Sequence, residues 1–210
     1  MSPAVRFGVL RCIPLERGVG LDAALHNDLQ QAREALVWKL DGLSEYDLRR
    51  PMVPTGTNLL GLVKHVAIVD GGYLGVTFGR PLEELERWFQ PDVEANADMW
   101  ATAEEGREQI VNLYHRVWAH SDQTVEQLGL NALGRVPWWS DAEPVSVHRI
   151  LVHVIAETNR HAGQADIVRE LIDGGAGWRR DDLSLPSTDA AWWRDYRARV
   201  EEVARRASKD

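Results

Sequence analysis

Three ionisable residues on one predicted helix are spaced so that they could bind a metal ion. His153, Glu157 and His161 follow one another at four-residue steps, and four residues make slightly more than one turn of an α-helix. The stripe that contains them is apolar at both ends and consists of Ile150, His153, Glu157, His161, Gln164, Val168 and Leu171. An amphipathic helix normally turns such a stripe inward, where an unpaired carboxylate and two imidazoles are costly to bury. A metal ion is therefore the leading candidate to satisfy them.

The role of His153 stays open at this point. Residues at i, i+4 and i+8 turn through about 80° around a helix, so the three side chains need not reach one ion. His153 could replace Glu157 as a ligand, add a fourth ligand, or lie outside the ligand set. We favour the last role, in which His153 hydrogen-bonds a ligand or transfers a proton in the pocket.

A second helix offers one more imidazole. His65 lies between Gly61 and Gly72 on its helix face, and these glycines either leave a hollow or allow close packing around a structural histidine. Together with Glu157 and His161, His65 completes two nitrogens and one carboxylate oxygen, a catalytic set for zinc or another divalent ion that leaves a position open. The competing interpretation is that Glu157 merely pairs with a neighbouring His or Arg.

Other polar residues carry weaker signals. Arg149 and Arg160 flank the stripe and could attract an anionic substrate, whereas His26, His115, His120 and His148 are expected to be solvated or structural. The pair Trp138 and Trp139 could wall the mouth of a pocket near the start of the same helix.

Helical periodicity dominates the chain, and sustained alternation typical of strands is nearly absent. Helices are predicted over 21–43, 58–73, 103–128, 147–173 and 188–207, with N-cap signals at Thr57, Thr102 and Ser146. We therefore predict an all-α fold, a four-helix bundle with additional short helices and a C-terminal helix. The expectation is a single domain over 1–210, with residues 1–20 as an N-terminal arm.

Composition narrows the function. The net charge of −8, from 24 basic and 32 acidic residues, disfavours nucleic acid and anionic membranes as partners. One cysteine permits no internal disulfide, and we see neither a secretory signal nor an apolar run of about 18 residues. A cytoplasmic location is expected. Bundles of this kind can form homodimers, although the sequence identifies no interface.

Three stretches resemble the DinB-like superfamily: residues 38–44 (WKLDGLS), 57–65 (TNLLGLVKH) and 153–166 (HVIAETNRHAGQAD). The chain is similar in particular to the actinobacterial subgroup called mycothiol transferases, and the Arg-rich composition agrees with such a source. The resemblance implies a four-helix bundle that binds a divalent metal, most often zinc or nickel, through His65, Glu157 and His161. Many relatives have His at the position of Glu157, whereas the mycothiol-dependent maleylpyruvate isomerases are similar to this chain in using Glu.

The resemblance also implies that a low-molecular-weight thiol, mycothiol or bacillithiol, attacks a small-molecule electrophile at the open metal position, and the actinobacterial likeness favours mycothiol. Our first hypothesis is therefore a metal-dependent thiol S-transferase acting in detoxification. The alternatives are a non-enzymatic metal- or ligand-binding stress-response bundle, and a metal-dependent hydrolase whose nucleophile is water.

Overall fold

Apolar faces at three- and four-residue spacing bring four long helices together around one core. The structure is a computed structural model that describes residues 21–140, 143–181, 183 and 185–208. Its elements are α1 (Leu21–Val37), α2 (Glu45–Arg49), α3 (Leu59–Leu74), α4 (Arg107–Leu128), β1 (Leu133–Gly134), β2 (Val145–Ser146), α5 (Val147–Asp173) and α6 (Ala190–Ala207). Helix α5 packs against α1 and α3, and α3 also packs against α4. The predicted all-α bundle is confirmed, with only a two-residue antiparallel strand pair in the described chain.

Polar side chains cap the N-terminal ends of α3 and α5, the two helices that carry the candidate site. Ser146 caps α5 as predicted, because its hydroxyl accepts the backbone N–H of Arg149 at 3.2 Å. The cap of α3 is Asn58 and not Thr57, since Asn58 Oδ1 accepts the backbone N–H of Gly61 at 2.8 Å. The predicted start of α3, residue 58, and its predicted cap, Thr57, therefore both lie one position too early.

The first helix ends earlier than its periodicity predicts. Regular α-helix stops at Val37 and continues as one 3-10 turn, Trp38–Leu40. Arg169, on α5, donates to the carbonyls of Lys39 and Asp41 at 2.7 and 2.8 Å. These carbonyls are satisfied by tertiary contacts, so the backbone does not need to stay helical there.

The third long helix begins later than predicted. Thr102 and Glu105 do make the expected local bond, from the Thr102 N–H to Glu105 Oε2 at 2.8 Å, yet α4 starts at Arg107. Arg49 donates to the carbonyls of Thr102 and Glu105, both at 2.7 Å, and the Thr102 carbonyl also accepts the Glu105 N–H at 3.3 Å in a single turn. The Thr102–Glu105 capping signature therefore belongs to a turn that precedes α4.

A buried polar network that periodicity did not predict crosses the bundle. The Arg33 side chain on α1 and that of Asp70 on α3 are both fully buried and are joined at 2.7 Å. Ser121 on α4 also donates to Asp70 at 2.7 Å, and Arg33 reaches Asp122 at 2.8 Å. The network links three helices and demands a specific register, because a buried charge without its partner is strongly destabilising.

Helix α3 and the turn after it are more apolar than we expected from the sequence. Contrary to that expectation, Leu59–Phe78 is long and apolar enough to cross a membrane, but 78% of its most apolar window is buried inside the bundle. A mostly buried core helix of a soluble protein passes the same test, so this segment is weak support for a membrane span.

The C-terminal helix stands apart from the core. Helix α6 begins at Ala190, two residues later than predicted, and none of its residues is buried. Trp192 stacks on Tyr196 with ring centroids 5.2 Å apart, while Val200 and Val203 stay exposed. The N-terminal arm predicted for residues 1–20 lies outside the described residues.

Candidate metal centre and adjoining pocket

Three of the residues singled out by their spacing come together between α3 and α5. His65, Glu157 and His161 each offer one potential ligand atom, and these atoms all lie within 4.8 Å of one another. The His65 and His161 rings meet edge to face, with centroids 4.6 Å apart. Two imidazole nitrogens and one carboxylate oxygen therefore converge, a donor set that suits a divalent first-row metal ion.

The hydrogen bonds of His161 favour a cation at this point. His161 Nδ1 lies 2.8 Å from Gln164 Oε1, and its Nε2 lies 3.0 Å from Glu157 Oε1. If Nδ1–H donates to the Gln164 amide oxygen, a neutral imidazole directs the lone pair of Nε2 at a carboxylate. Two acceptors then face each other, and a proton or a metal ion is needed between them. The chemistry of the donor set thus fits a metal.

His65 is held in the same manner by a residue that we did not predict. Its Nδ1 lies 2.5 Å from Asp98 Oδ2, and the hydrogen bond from His65 lowers the pKa of the Asp98 carboxyl despite its partial burial. A carboxylate on one ring nitrogen fixes the tautomer and leaves Nε2 for a metal. Asp98 and Gln164 therefore orient the two imidazoles from outside the cluster.

Asp98 lies in the long connection between α3 and α4, and the backbone conformation of this connection brings it to His65. Asn96 adopts a left-handed conformation with φ 64°, a region that Asn tolerates better than most residues, and starts the 3-10 turn Ala97–Met99. The Met99 N–H closes this turn on the Asn96 carbonyl at 2.9 Å. The turn presents Asp98 to α3.

A buried lysine and a glycine hold that turn against α3. Lys64 Nζ donates to the carbonyls of Ala97 and Trp100 at 3.1 and 2.9 Å, and to Glu105 Oε2 at 2.9 Å. A Cβ on Gly61 would lie 1.9 Å from the Met99 carbonyl oxygen, so only glycine allows this approach.

The glycines beside His65 consequently do not leave a simple hollow. At Gly61 the space is filled by the backbone of Met99. At Gly72 an added Cβ would meet the Phe89 ring at 2.8 Å and Trp138 at 3.1 Å. Gly61 thus lets the turn that carries Asp98 approach α3, and Gly72 lets Phe89 and Trp138 pack against the same helix.

A cavity of about 310 Å³ opens beside the cluster. Its lining combines two of the candidate ligands with aromatic and apolar side chains: His65, Ile68, Val69, Tyr73, Phe89, Trp138, His153 and Glu157. Phe89 and Trp138 stack with ring centroids 5.6 Å apart, and Trp139 Nε1 donates to the Tyr73 hydroxyl at 3.2 Å. Of the two tryptophans expected to wall a pocket, Trp138 lines the cavity, whereas Trp139 lies behind Tyr73 and is not among the lining residues.

His153 lies in this pocket and not in the three-residue cluster. Its ring meets Tyr73 edge to face, with centroids 4.5 Å apart. Burial lowers the pKa of His153, Arg149 lowers it further, and Glu157 opposes them. A neutral imidazole at neutral pH follows, which suits a proton acceptor better than a cationic binding group.

The rest of the predicted stripe is only partly correct. Ile150 and Val168 are buried, but Leu171 is 58% exposed, because the buried face of α5 is rotated toward Leu151, Val154, Thr158, Ala162 and Ala165. His153 and Glu157 therefore lie at the edge of that face, where they can reach the cavity. His148, Arg149 and Arg160 are exposed, and His120 bonds the Arg80 carbonyl at 2.7 Å.

Sequence reasoning missed the residues that support the cluster. Asp98 carried no spacing signal, because it reaches His65 from 33 positions away through an irregular connection. Phe89 belongs to the same connection. Gln164 was visible on the stripe, three residues after His161, and i, i+3 spacing could have assigned it.

A helical bundle with a His, His and Glu donor set beside an aromatic pocket defines a class of candidate metalloproteins. Comparison with known families narrows this class: the profile of the mycothiol-S-transferase family matches residues 24–174. The chain belongs to this DinB-like family. Helix α6 follows the matched region.

Comparisons with individual proteins add information about the fold. No curated protein matches the chain. Among solved structures, the conserved protein of an Enterococcus faecalis locus is similar, with a TM-score of 0.58 and 18% identity. The match covers 75% of this chain and 99% of that one. At this identity the likeness supports the bundle fold alone.

Proposed function

We propose that the protein is a divalent-metal-dependent S-transferase that joins mycothiol to an electrophilic small molecule, acting in cytoplasmic detoxification. The observation that carries the proposal is the convergence of His65, Glu157 and His161 at the edge of a cavity, in a chain of the mycothiol-S-transferase family. Zinc and nickel are the metals that we favour for this donor set.

The chain's own residues have separable tasks in this scheme. His65, Glu157 and His161 would hold the metal, while Asp98 and Gln164 keep the two imidazoles in the tautomer that offers Nε2. A bound divalent ion favours the thiolate over the thiol, and the thiolate is the nucleophile.

In this scheme His153 receives the proton that the thiol loses. It lines the same cavity as His65 and Glu157, and its lowered pKa keeps it ready to accept a proton at neutral pH. With a chlorinated electrophile, the thiolate sulfur forms a C–S bond and chloride leaves with the electron pair of the broken C–Cl bond. The proton passes through His153 to solvent.

Metal content tests the ligand set directly. We expect purified wild-type protein to carry about one metal ion per chain, and His65→Ala and His161→Ala to lose most of it. His148→Ala is the matched control, since His148 is an exposed imidazole on the same helix as His161. Equal metal content in all three variants, measured by elemental analysis, would remove the site.

Thiol use is tested by binding and by turnover. Mycothiol at about one hundred times its Kd should raise the unfolding temperature by roughly 5–10 °C, because it binds the native state. Metal-loaded protein should also accelerate the reaction of mycothiol with chlorobimane, and His161→Ala should abolish that acceleration. If neither signal exceeds background with several acceptors, the S-transferase proposal is wrong.

A further inference from the structure

The cavity beside the metal cluster has a composition that selects a substrate. Apart from the ionisable groups near the metal cluster, its described lining consists of aromatic and aliphatic side chains: Ile68, Val69, Tyr73, Phe89 and Trp138. None of the described lining residues is Arg or Lys. Arg149 and Arg160, which the sequence offered as attractors of an anion, are exposed and lie outside the lining.

From this arrangement we infer that the cavity is the acceptor subsite of the proposed transferase and that it takes a neutral, planar aromatic electrophile. The inference rests on the proposed function for its role in catalysis. That the cavity binds such a ligand is argued from the volume and lining of the cavity alone.

Size and polarity argue against the thiol as the occupant. A volume of about 310 Å³ is at the lower end of small-molecule sites and accommodates one or two rings. Mycothiol carries two polyhydroxylated rings, whose hydroxyl groups would lose hydrogen bonds with water against apolar walls. The cavity therefore suits the electrophile, with the thiol reaching the cluster from outside.

The walls present ring edges and faces to a flat ligand. Tyr73 and Trp138 meet edge to face with centroids 5.2 Å apart, and Phe89 stacks on Trp138 with planes inclined by 13°. Such walls favour offset stacking and edge contacts with another ring. The Tyr73 hydroxyl accepts from Trp139, which leaves its own proton for an oxygen of the ligand.

Charge explains why the acceptor should be neutral. A carboxylate on the ring would have to leave water and lie against apolar walls, and the described lining contains no Arg or Lys to pair with it. Because its pKa is lowered, the His153 imidazole in the wall is neutral at neutral pH and adds no positive charge there.

A matched pair of unreactive probes tests the subsite without any thiol. Dinitrobenzene and dinitrobenzoate share the nitrated ring and differ by one carboxylate. With metal-loaded protein in a calorimeter, we expect dinitrobenzene to bind at least about tenfold more tightly. Equal binding, or tighter binding of dinitrobenzoate, would overturn the inference.

Variants of the wall locate the binding. Trp138→Ala should weaken dinitrobenzene about tenfold, the effect of losing one ring contact, whereas Trp138→Phe should retain most of the affinity. Trp192→Ala is the matched control, because Trp192 lies on the exposed helix α6. Circular dichroism verifies folding, and Trp138 is itself 44% exposed, so its loss should leave the bundle intact. Unchanged binding in Trp138→Ala would place the ligand elsewhere and overturn the assignment.

Turnover with chlorodinitrobenzene and chlorodinitrobenzoate separates the two proposals. If mycothiol reacts with the benzoate as fast as with the neutral chloride, the subsite assignment fails and the transferase stands. If the neutral probe binds as expected but neither chloride is turned over, the subsite stands and the transferase fails.

Discussion

Replacing Gly61 by alanine should weaken metal binding without touching a ligand. The new Cβ would lie 1.9 Å from the Met99 carbonyl oxygen, whereas a carbon and an oxygen need about 3.3 Å. The Ala97–Met99 turn must then retreat by about 1.4 Å, and the 2.5 Å bond between His65 and Asp98 lengthens to about 3.9 Å, beyond hydrogen-bond range.

Two magnitudes follow from that displacement. Loss of a group that orients a ligand typically costs 10- to 100-fold in metal affinity, or about 1.4–2.8 kcal/mol. The crowding should also lower the free energy of unfolding of the metal-free protein by about 1–3 kcal/mol. Competition with a chromophoric chelator measures the first quantity, and urea unfolding measures the second.

Gly163 provides a matched control. It is also a helical glycine near the cluster, but a Cβ there meets no heavy atom within 4 Å. Gly163→Ala should preserve metal affinity and stabilise the helix by about 0.5–1 kcal/mol. Equal metal affinity in Gly61→Ala and Gly163→Ala would refute the reasoning.

A double-mutant cycle identifies the mechanism. Asp98→Ala should lose metal affinity to a similar degree, and adding Gly61→Ala to it should cost little more, because the same hydrogen bond is already absent. Additive losses would mean that Gly61 acts through something other than Asp98.

Two further predictions concern stability. Asp70→Ala should cost about 3–5 kcal/mol in urea unfolding, because it removes the fully buried partner of Arg33 and leaves only the partly exposed Asp122 to pair with that guanidinium. Glu201→Ala, from an exposed pair, should cost less than about 0.5 kcal/mol. A loss under about 1 kcal/mol for Asp70→Ala would contradict the role of the network. Burial lowers the pKa of His153 in the folded protein. Between this lowered pKa and the ordinary value of about 6.5, the unfolded chain therefore binds more protons at His153 than the folded chain does. The contribution of His153 to the free energy of unfolding consequently rises with pH in this window and is constant above it. In chelator-treated protein, His153→Gln should lose less stability than wild type as pH falls from 6.5 to 5, with His148→Gln as the control; an identical loss would show that His153 does not contribute.

The fold was predictable wherever local periodicity and packing agree. The apolar spacing of α3 and α5 defined both helices closely, and Ser146 marked an N-terminus through a purely local hydrogen bond. Boundaries were wrong where tertiary contacts intervene. Arg169 satisfies carbonyls at the end of α1, and Arg49 does the same ahead of α4, and neither contact leaves a trace in local spacing.

In the candidate site, too, the residues fixed by local spacing were predictable and those positioned by tertiary contacts were not. Glu157 and His161 were accessible from the sequence because one helix fixes their spacing. His65 joined them as the imidazole of a second helix, a choice that the resemblance between motifs supported. Asp98 and Phe89 were not accessible, because their positions depend on how an irregular connection folds back onto α3. The rotation of α5 that exposes Leu171 was equally hidden, since it depends on the packing of several helices at once.

The connection between α3 and α4 serves two parts of the site at once. It supplies Asp98, which orients a candidate ligand, and Phe89, which walls the cavity, while Trp138 comes from a second connection. The helices hold the candidate metal ligands, and the segments between them line the adjoining cavity. Divergence of acceptor preference among related bundles could therefore proceed by changing these two connections, with the helical scaffold and its chemistry inherited intact. Libraries that randomise Phe89 and Trp138 while sparing Asp98 would follow the same route in the laboratory.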